Sequence, residues 1–176
     1  MTCEKAQTLR ERLHSTFYRE IREVLTHPVV RQMRSYRHHG STDCYQHCMN
    51  VAYYSYLFCS LMRWDARAAA RAGMLHDLYL YDWHTYARET GEHFHGLTHP
   101  KRALHNAELY FELTDREKDI IRKHMWPITV ALPKYREAYV VMVADKICGM
   151  CEVTHHFEHR LRHWAARAWP VQSRHR

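Results

Sequence analysis

The sequence predicts an all-α protein that folds as one domain over residues 1–176. This length suffices for one well-buried core and is too short for two ordinary domains. Most of the five prolines and five glycines lie between helix-periodic segments, as they do in helical bundles. The sequence contains no alternating strand pattern of useful length, no internal repeat and no low-complexity tract. Together these observations favour a single-domain helical bundle.

Hydrophobic periodicity predicts seven helices, and several of them begin with recognisable capping residues. Asp43 ends a Gly-Ser-Thr-Asp run at the start of the second helix, and Asp65 lies at the start of the third. Thr114 with Glu117 makes a capping box, and Pro100 suits the first position of a helix. The predicted helices cover residues 3–26, 42–63, 65–77, 100–112, 115–125, 135–150 and 152–168.

Residues 81–99 form the longest predicted loop, which is rich in polar and aromatic side chains. Its histidines are His84, His93, His95 and His99. Long loops of this kind are often functional. We therefore expect part of a functional site to lie here.

Composition limits the partners of the protein. The longest apolar run has about seven residues, well short of the ~18 that a membrane helix needs. The charged N-terminus lacks the features of a secretory signal, so we expect no membrane span and a cytoplasmic location. A net charge of +7 and a pI near 9.2 fit a partner that carries phosphate, whether a nucleotide, a nucleic acid or an anionic lipid. Because the basic residues are scattered, a nucleic acid is not favoured, and an ordinary solvated surface explains the charge equally well.

The six cysteines are expected to be reduced, since the chain is larger than a disulfide scaffold and shows no export signal. Cys44 and Cys48 are four residues apart, and Cys148 and Cys151 are three apart, so each pair lies on one helix face. Such pairs permit a four-thiolate zinc site. Buried thiols that act as small core residues are the favoured alternative.

Histidines and aspartates lie beside apolar residues on four of the predicted helices. The four side chains are those of His47, His76, His124 and Asp145. In the third helix, Ala69 and Ala72 share a face with His76, and these small residues would let a neighbouring helix approach closely. One histidine on an apolar face is more often a hydrogen-bonded core residue than a metal ligand. Their joint occurrence on four helices favours a shared site.

Buried carboxylates at Asp77 and Asp145 would require cations close by, because burying an unpaired carboxylate is costly. Lysines and arginines that reach inward could supply the positive charge. A pair of divalent metal ions would satisfy all of these groups at once, and this explanation needs fewer side chains.

The ligand-type residues follow the order H…HD…H…H…D, with successive members about 20–30 residues apart. They lie in the fragments YQHCMNVA, AGMLHDL, THPKRALHNAE, IIRKHMWP and VVMVADKI. In this order the chain resembles the HD-domain superfamily of metal-dependent phosphohydrolases over about residues 40–152. The presence of His99 and His124 is similar to its two-metal branch, and His105, mid-helix, is a weaker rival of His99. The resemblance implies an HD-type helical bundle on which the N-terminal and C-terminal helices pack.

The resemblance also implies a pair of divalent transition-metal ions, iron or manganese in first place, with zinc, cobalt and nickel also compatible. Asp77 would bridge the ions, and a metal-bridging hydroxide would attack a phosphate ester or anhydride of a small substrate, in first place a nucleotide. Lys146, Lys101 and Arg102 are the predicted contacts to phosphate. In this arrangement both ions bind Asp77. The other ligands of one ion would be His47, His76 and Asp145, and those of the second ion would be His99 and His124.

Two alternatives to hydrolysis stay open at this point. Many relatives carry a substrate-binding lysine in the pattern HD-x-x-K, where this chain has Leu80. Asp82 and His84 could replace that lysine or could simply cap the loop. A few relatives with the same ligand set are mixed-valence diiron oxygenases, and a regulatory module that keeps the fold without turnover is a further alternative. The GYP signature of cyclic-diguanylate phosphodiesterases is missing after His124, so that activity is not expected.

Overall fold

The computed structural model describes residues 3–38, 42–83, 85–86, 91 and 95–168, with side chains described for 11–38, 42–83, 85–86, 91 and 96–154. This part of the chain is helical and contains no β-strand, so the protein is all-α, as predicted. A short 3-10 helix covers Met33–Ser35. The α-helices are α1 (Cys3–Glu20), α2 (Arg22–Thr26), α3 (Pro28–Gln32), α4 (Cys44–Leu61), α5 (Ala66–Leu75), α6 (His95–Tyr110), α7 (Asp115–Lys123) and α8 (Arg136–Ala168).

Three of the predicted helix caps are confirmed. The carboxylates of Asp43 and Asp65 each accept a hydrogen bond from the backbone N–H three residues ahead, over 2.8 and 3.0 Å. Thr114 and Glu117 form the reciprocal capping box at the start of α7. The starts of α4, α5 and α7 therefore follow from local sequence.

α4 and α5 lie close together because α5 is built from small residues. Ala69 and Ala72 are fully buried. A Cβ atom on Gly73 would lie only 3.0 Å from the Cα atom of Ala52 on α4. This confirms the predicted close approach, which places the end of α5, and with it His76, directly against α4.

A buried ion pair joins α5 to α7. Nε of Arg71 donates to Oε1 of Glu117 over 2.6 Å, and both side chains are buried. The same guanidinium donates to the carboxylate of Glu23 over 2.9 Å and to the carbonyl oxygen of Glu112 over 3.1 Å. This pair fixes α5 and α7 relative to each other, and both helices lead into residues of the predicted metal centre.

The remaining helices share the same cluster of buried apolar side chains. The ring of Phe17 on α1 lies against Tyr53 and Tyr56 of α4, with ring centroids 5.1 and 5.5 Å apart. Ile120 of α7 and Val141 of α8 are fully buried in this cluster. Among the described helices, none combines the length and the apolar character that crossing a membrane would require.

α6 begins earlier than predicted. Its first residue is His95, so Pro100 lies inside the helix instead of at its first position, and His99 lies on a helix instead of in a loop. Proline lacks the N–H that would bond to the carbonyl four residues earlier, but near the helix start this removes only one bond. His84 and His93 lie outside the described residues.

Two other helix boundaries differ from the prediction. The helix predicted over residues 3–26 is interrupted at Ile21, whose backbone leaves helical geometry (φ −110°, ψ 11°) while its side chain is fully buried. The helices predicted over residues 135–150 and 152–168 form one continuous helix, α8. Gly149 does not end it, because glycine inside a helix costs only about 1 kcal/mol.

Candidate metal centre

The six predicted metal ligands converge in the interior of the helical bundle. α4 carries His47, α5 leads into His76 and Asp77, α6 carries His99, α7 leads into His124, and α8 carries Asp145. Five of the six side chains are buried, and that of Asp145 is 16% exposed. The helix packing thus brings together residues that are widely separated in the sequence.

Two of the imidazoles are oriented by backbone carbonyls. Nδ1 of His76 donates to the carbonyl oxygen of Gly73 over 2.7 Å, and Nδ1 of His124 donates to that of Ile121 over 2.9 Å. Both carbonyls lie in the last turn of a helix, where carbonyl groups lack helical partners. Because a carbonyl only accepts, the proton of each neutral ring is on Nδ1, and the Nε2 lone pair faces the other ligands.

One set of potential ligand atoms comes from His47, His76 and Asp145. Nε2 of His47 lies 3.1 Å from Oδ1 of Asp145, and Nε2 of His76 lies 3.7 Å from the same oxygen. Oδ2 of Asp77 lies 3.6 Å from Nε2 of His76. Two nitrogens and a carboxylate oxygen therefore surround one point, in a combination that suits a transition-metal ion.

The second set comes from His99, His124 and Asp77. The two Nε2 atoms lie 2.9 Å apart, and Oδ1 of Asp77 lies 3.3 Å from that of His99 and 3.6 Å from that of His124. Ligand atoms that share a metal ion at about 2.1 Å are separated by roughly 3.0–3.4 Å. The three atoms are thus close to the spacing that one metal ion requires.

Asp77 lies between the two sets and presents a different oxygen to each. Within the part of the chain that the structure describes, Oδ1 of Asp77 and Nε2 of His76 are buried without a hydrogen-bond partner. Native proteins rarely leave buried polar atoms in this state. A pair of divalent cations would satisfy both atoms, so the residues present fit a two-metal site.

The side chains of the centre stabilise opposite charges in one another. Burial opposes ionisation of Asp77, but the charge of His76 and a hydrogen bond from His38 keep the pKa of this carboxyl well below its usual value. Burial lowers the pKa of His76, yet the carboxylates of Asp77 and Asp145 raise it to about 9. Burial and the positive charge of His76 lower the pKa of His124 to about 3. In the metal-free centre, the positive charge of a protonated imidazole therefore balances the negative charge of the carboxylates. Bound metal ions could supply the same positive charge.

Two residues of this centre, His38 and Glu152, are missing from the sequence prediction. Nε2 of His38 lies 3.0 Å from Oδ2 of Asp77, and its ring stacks on that of His47. Oε2 of Glu152 lies 3.1 Å from Nδ1 of His47. Burial opposes ionisation of Glu152, but hydrogen bonds from both histidines lower its pKa to about 2.

The sequence carries a signal for only one of these two residues. Glu152 lies seven residues after Asp145, which places both carboxylates on the same face of α8. This spacing could have identified Glu152. His38 lies outside the described helices, where no periodicity indicates the direction of a side chain.

The four-cysteine site that the spacing permits is not formed. Among the described residues, no group of potential ligands combines sulfur atoms of the two cysteine pairs, and Cys151 is exposed. Sγ of Cys44 instead donates to the backbone oxygen of Asp77 over 3.5 Å. Burial raises the pKa of the Cys48 thiol well above its usual value. Cys44 and Cys48 therefore serve as core thiols beside the centre.

The predicted phosphate contacts lie at two separate places. Nζ of Lys146 donates to the carbonyl oxygen of His124 over 3.5 Å. Lys101 and Arg102 line a depression of about 630 Å³ beside Tyr79. Within the described part of the chain, none of the six predicted ligands lines this depression. The role of all three cations stays a prediction.

Residues 44–150 match the sequence model of a family described as HD domain. The match covers more than half of the chain. The protein belongs to the HD-domain family. No curated protein and no solved structure gives a significant match.

HD-domain proteins form a superfamily of metal-dependent phosphohydrolases that bind divalent metal ions. The matched segment contains all six predicted ligands, from His47 to Asp145. It begins after His38 and ends before Glu152. Neither residue therefore belongs to the matched segment.

Proposed function

We propose that this HD-domain protein is a hydrolase that uses two divalent transition-metal ions to cleave a phosphate ester or anhydride of a small substrate, in first place a nucleotide. The observation that carries the proposal is the position of Asp77, which directs one oxygen toward each set of imidazoles. A carboxylate between two ligand sets suits a bridge between two ions. The proposed ligands are His47, His76, Asp77, His99, His124 and Asp145.

The ligand chemistry favours iron or manganese and is compatible with zinc, cobalt and nickel. Magnesium and calcium prefer shells made of oxygen, whereas this centre offers four imidazoles with two carboxylates. When bound, two such ions lower the pKa of water and neutralise the negative charge of phosphoryl oxygens.

The chain's own groups support this chemistry in two ways. The Nδ1 contacts of His76 and His124 hold each ring in one orientation, so that little rearrangement accompanies metal binding. Phosphate also requires cationic contacts from side chains. Leu80 stands where many relatives have a lysine, so a different cationic side chain has to contact the phosphate. Lys146 is proposed for this role because it follows Asp145 directly on α8.

Lys101 and Arg102 are proposed to contact phosphate groups farther from the reacting one. They line a depression separate from the six ligands, and the ring of Tyr79 in that lining lies 6.0 Å from the ring of His99. A substrate with more than one phosphate, such as a nucleotide, could occupy both places. The net charge of +7 favours its approach.

Elemental analysis with a hydrolysis screen tests the proposal. The purified protein should contain about two transition-metal ions per chain and should hydrolyse members of a panel of nucleotides and phosphate esters. Asp77→Asn should lose both ions, and His99→Gln should lose one. Asp77→Asn should therefore abolish hydrolysis, and His99→Gln should lower activity by at least about 10²–10³-fold, the loss that removing one electrostatic contact to a transition state typically causes. His105→Gln is the matched control for metal content only, since His105 is exposed on the same helix as His99 but lines the depression of Lys101 and Arg102.

The other outcomes separate the alternatives. Two tightly bound ions without hydrolysis of any member of the panel would favour a binding module. An electron paramagnetic resonance signal of mixed-valence diiron would favour an oxygenase. A chain that binds fewer than two ions, or an Asp77→Asn variant that retains both, would contradict the proposed centre.

A further inference from the structure

The imidazole of His47 is held between two carboxylates of the same helix. Its Nε2 lies 3.1 Å from Oδ1 of Asp145, and its Nδ1 lies 3.2 and 3.1 Å from the two oxygens of Glu152. The ring is fully buried, and the side chain of Glu152 is 8% exposed. Little water can compete for either contact.

The regular geometry of α8 fixes the two carboxylates relative to each other. Asp145 and Glu152 are two helical turns apart, about 10.5 Å along the axis, and face the same side. Nδ2 of Asn50 on α4 lies 3.5 Å from Oε1 of Glu152. Glu152 is therefore itself held against α4, beside His47.

Glu152 determines which nitrogen of His47 is available to a cation. Both ring nitrogens of His47 face carboxylate oxygens, and a carboxylate accepts hydrogen bonds. If Asp145 and Nε2 of His47 share a metal ion, Glu152 is the acceptor that remains, so it holds the proton on Nδ1 and leaves the Nε2 lone pair to the ion. Backbone carbonyls at helix ends do the same for His76 and His124. His47 lies inside α4, where the helix uses its own carbonyls, and a carboxylate from another helix takes their place.

His38 contacts both His47 and Asp77. Its ring stacks on that of His47, with centroids 3.8 Å apart and 19° between the planes. Nε2 of His38 donates to Oδ2 of Asp77 over 3.0 Å. The backbone N–H of His38 donates to the carbonyl oxygen of Thr42 over 2.9 Å, which fixes the segment before α4. The contact therefore belongs to a defined backbone structure.

We propose that Glu152 and His38 are positioning residues of the metal centre. Glu152 fixes the tautomer and orientation of His47, and His38 fixes the carboxylate of Asp77. Both lie outside the segment that matches the HD-domain family, and neither belongs to the six predicted ligands. The inference rests on the proposed function, because these contacts matter to catalysis only if His47 and Asp77 bind cations.

Titration of metal-free protein with Co²⁺ tests the role of Glu152, with calorimetry for affinity and visible absorption for coordination. Glu152→Ala should weaken one of the two Co²⁺ sites by about 10–100-fold, as loss of such an outer contact typically does. The absorption bands of that site should change, and the other site should stay within about twofold. Glu152→Gln keeps an acceptor for Nδ1 and loses the charge, so its affinity should lie between those of Glu152→Ala and the wild type.

His38→Ala tests the second part of the inference. This variant should still bind two Co²⁺ ions per chain, with lower affinity, because His38 acts through Asp77. Loss of one whole ion would identify His38 as a metal ligand and would overturn its positioning role. Unchanged affinity at both sites would overturn it equally.

Controls distinguish positioning from general stability. Glu108→Gln, an exposed carboxylate paired with Lys118, should bind Co²⁺ like the wild type. Metal-free Glu152→Gln should stay folded in its circular dichroism spectrum but melt at a lower temperature, because the charge of Glu152 is stabilised by hydrogen bonds from His38 and His47. Wild-type affinity in Glu152→Ala, or equal weakening of both Co²⁺ sites in that variant, would refute the role of Glu152. Wild-type protein that binds fewer than two Co²⁺ ions would overturn the proposed function itself.

Discussion

Replacing Arg71 by methionine would measure how strongly α5 and α7 are tied together. The change leaves Oε1 of Glu117 buried without its partner at 2.6 Å, whereas Oε2 keeps its bond from the Thr114 N–H at 2.8 Å. Removing one partner of a buried ion pair costs about 3–5 kcal/mol. The contact to Glu23 adds at most about 1 kcal/mol, because that side chain is 64% exposed. Arg71→Met should therefore lower the free energy of unfolding by about 3–5 kcal/mol.

Urea denaturation measures this loss, and a double-mutant cycle assigns it to the pair. Arg71→Met combined with Glu117→Leu should cost about 1–3 kcal/mol less than the sum of the single changes, because no unpaired charge is then buried. Arg67→Met is the control, since Arg67 is exposed on the same helix and contacts Glu20 at 3.6 Å. It should change stability by less than about 1 kcal/mol. An Arg71→Met variant as stable as this control, or strict additivity in the cycle, would show that the pair does not join the helices.

Two further predictions concern packing and pH. Gly73→Ala should destabilise the protein by about 1–3 kcal/mol, since the new Cβ would lie 3.0 Å from the Cα of Ala52. Urea denaturation should show this loss in Gly73→Ala and not in Gly96→Ala, where the nearest atom is 3.7 Å away. Metal-free protein should lose stability as the pH rises from about 6.5 to 10. Burial lowers the pKa values of His76 and His38, but nearby carboxylates raise them to about 9 and 10, so their protonated forms stabilise the folded state only below those values. Melting curves in the presence of a chelator that stayed level across this range would contradict this assignment of charges.

Local sequence determines the helical class and the helix caps, whereas helix boundaries depend on tertiary packing. Thr114 and Glu117 form the predicted capping box because both partners lie within one turn. Proline is favoured at the first position of a helix, yet α6 begins at His95, five residues before Pro100. Gly149 likewise lies within a continuous helix. Local sequence shows where a helix can begin or end, and tertiary packing determines whether it does so there.

Four of the predicted ligands, His47, His76, His124 and Asp145, could be found because they lie beside apolar residues on predicted helices, whereas His99, predicted in a loop, was indicated by the family resemblance. Helical periodicity alone could not indicate that the two oxygens of Asp77 face different imidazoles, because this depends on how α6 and α7 pack beside α5; only the family resemblance implied a bridging Asp77. Glu152 lies seven residues after Asp145, a spacing that places both on one helix face. A single carboxylate at this spacing is nevertheless common on solvent-exposed helices, so it does not by itself indicate a role in the centre. His38 lies outside any described helix, and only the folded structure places it on His47.

The hydrogen bonds from His76 and His124 to carbonyls at their own helix ends have a further consequence. The orientation of these two rings depends on backbone carbonyl groups, and every residue has such a group whatever its side chain. Side chains around the substrate can therefore vary in size, charge and shape without turning either ring away from its place. A fold built in this way can keep one reactive core while the molecules that it accepts diverge.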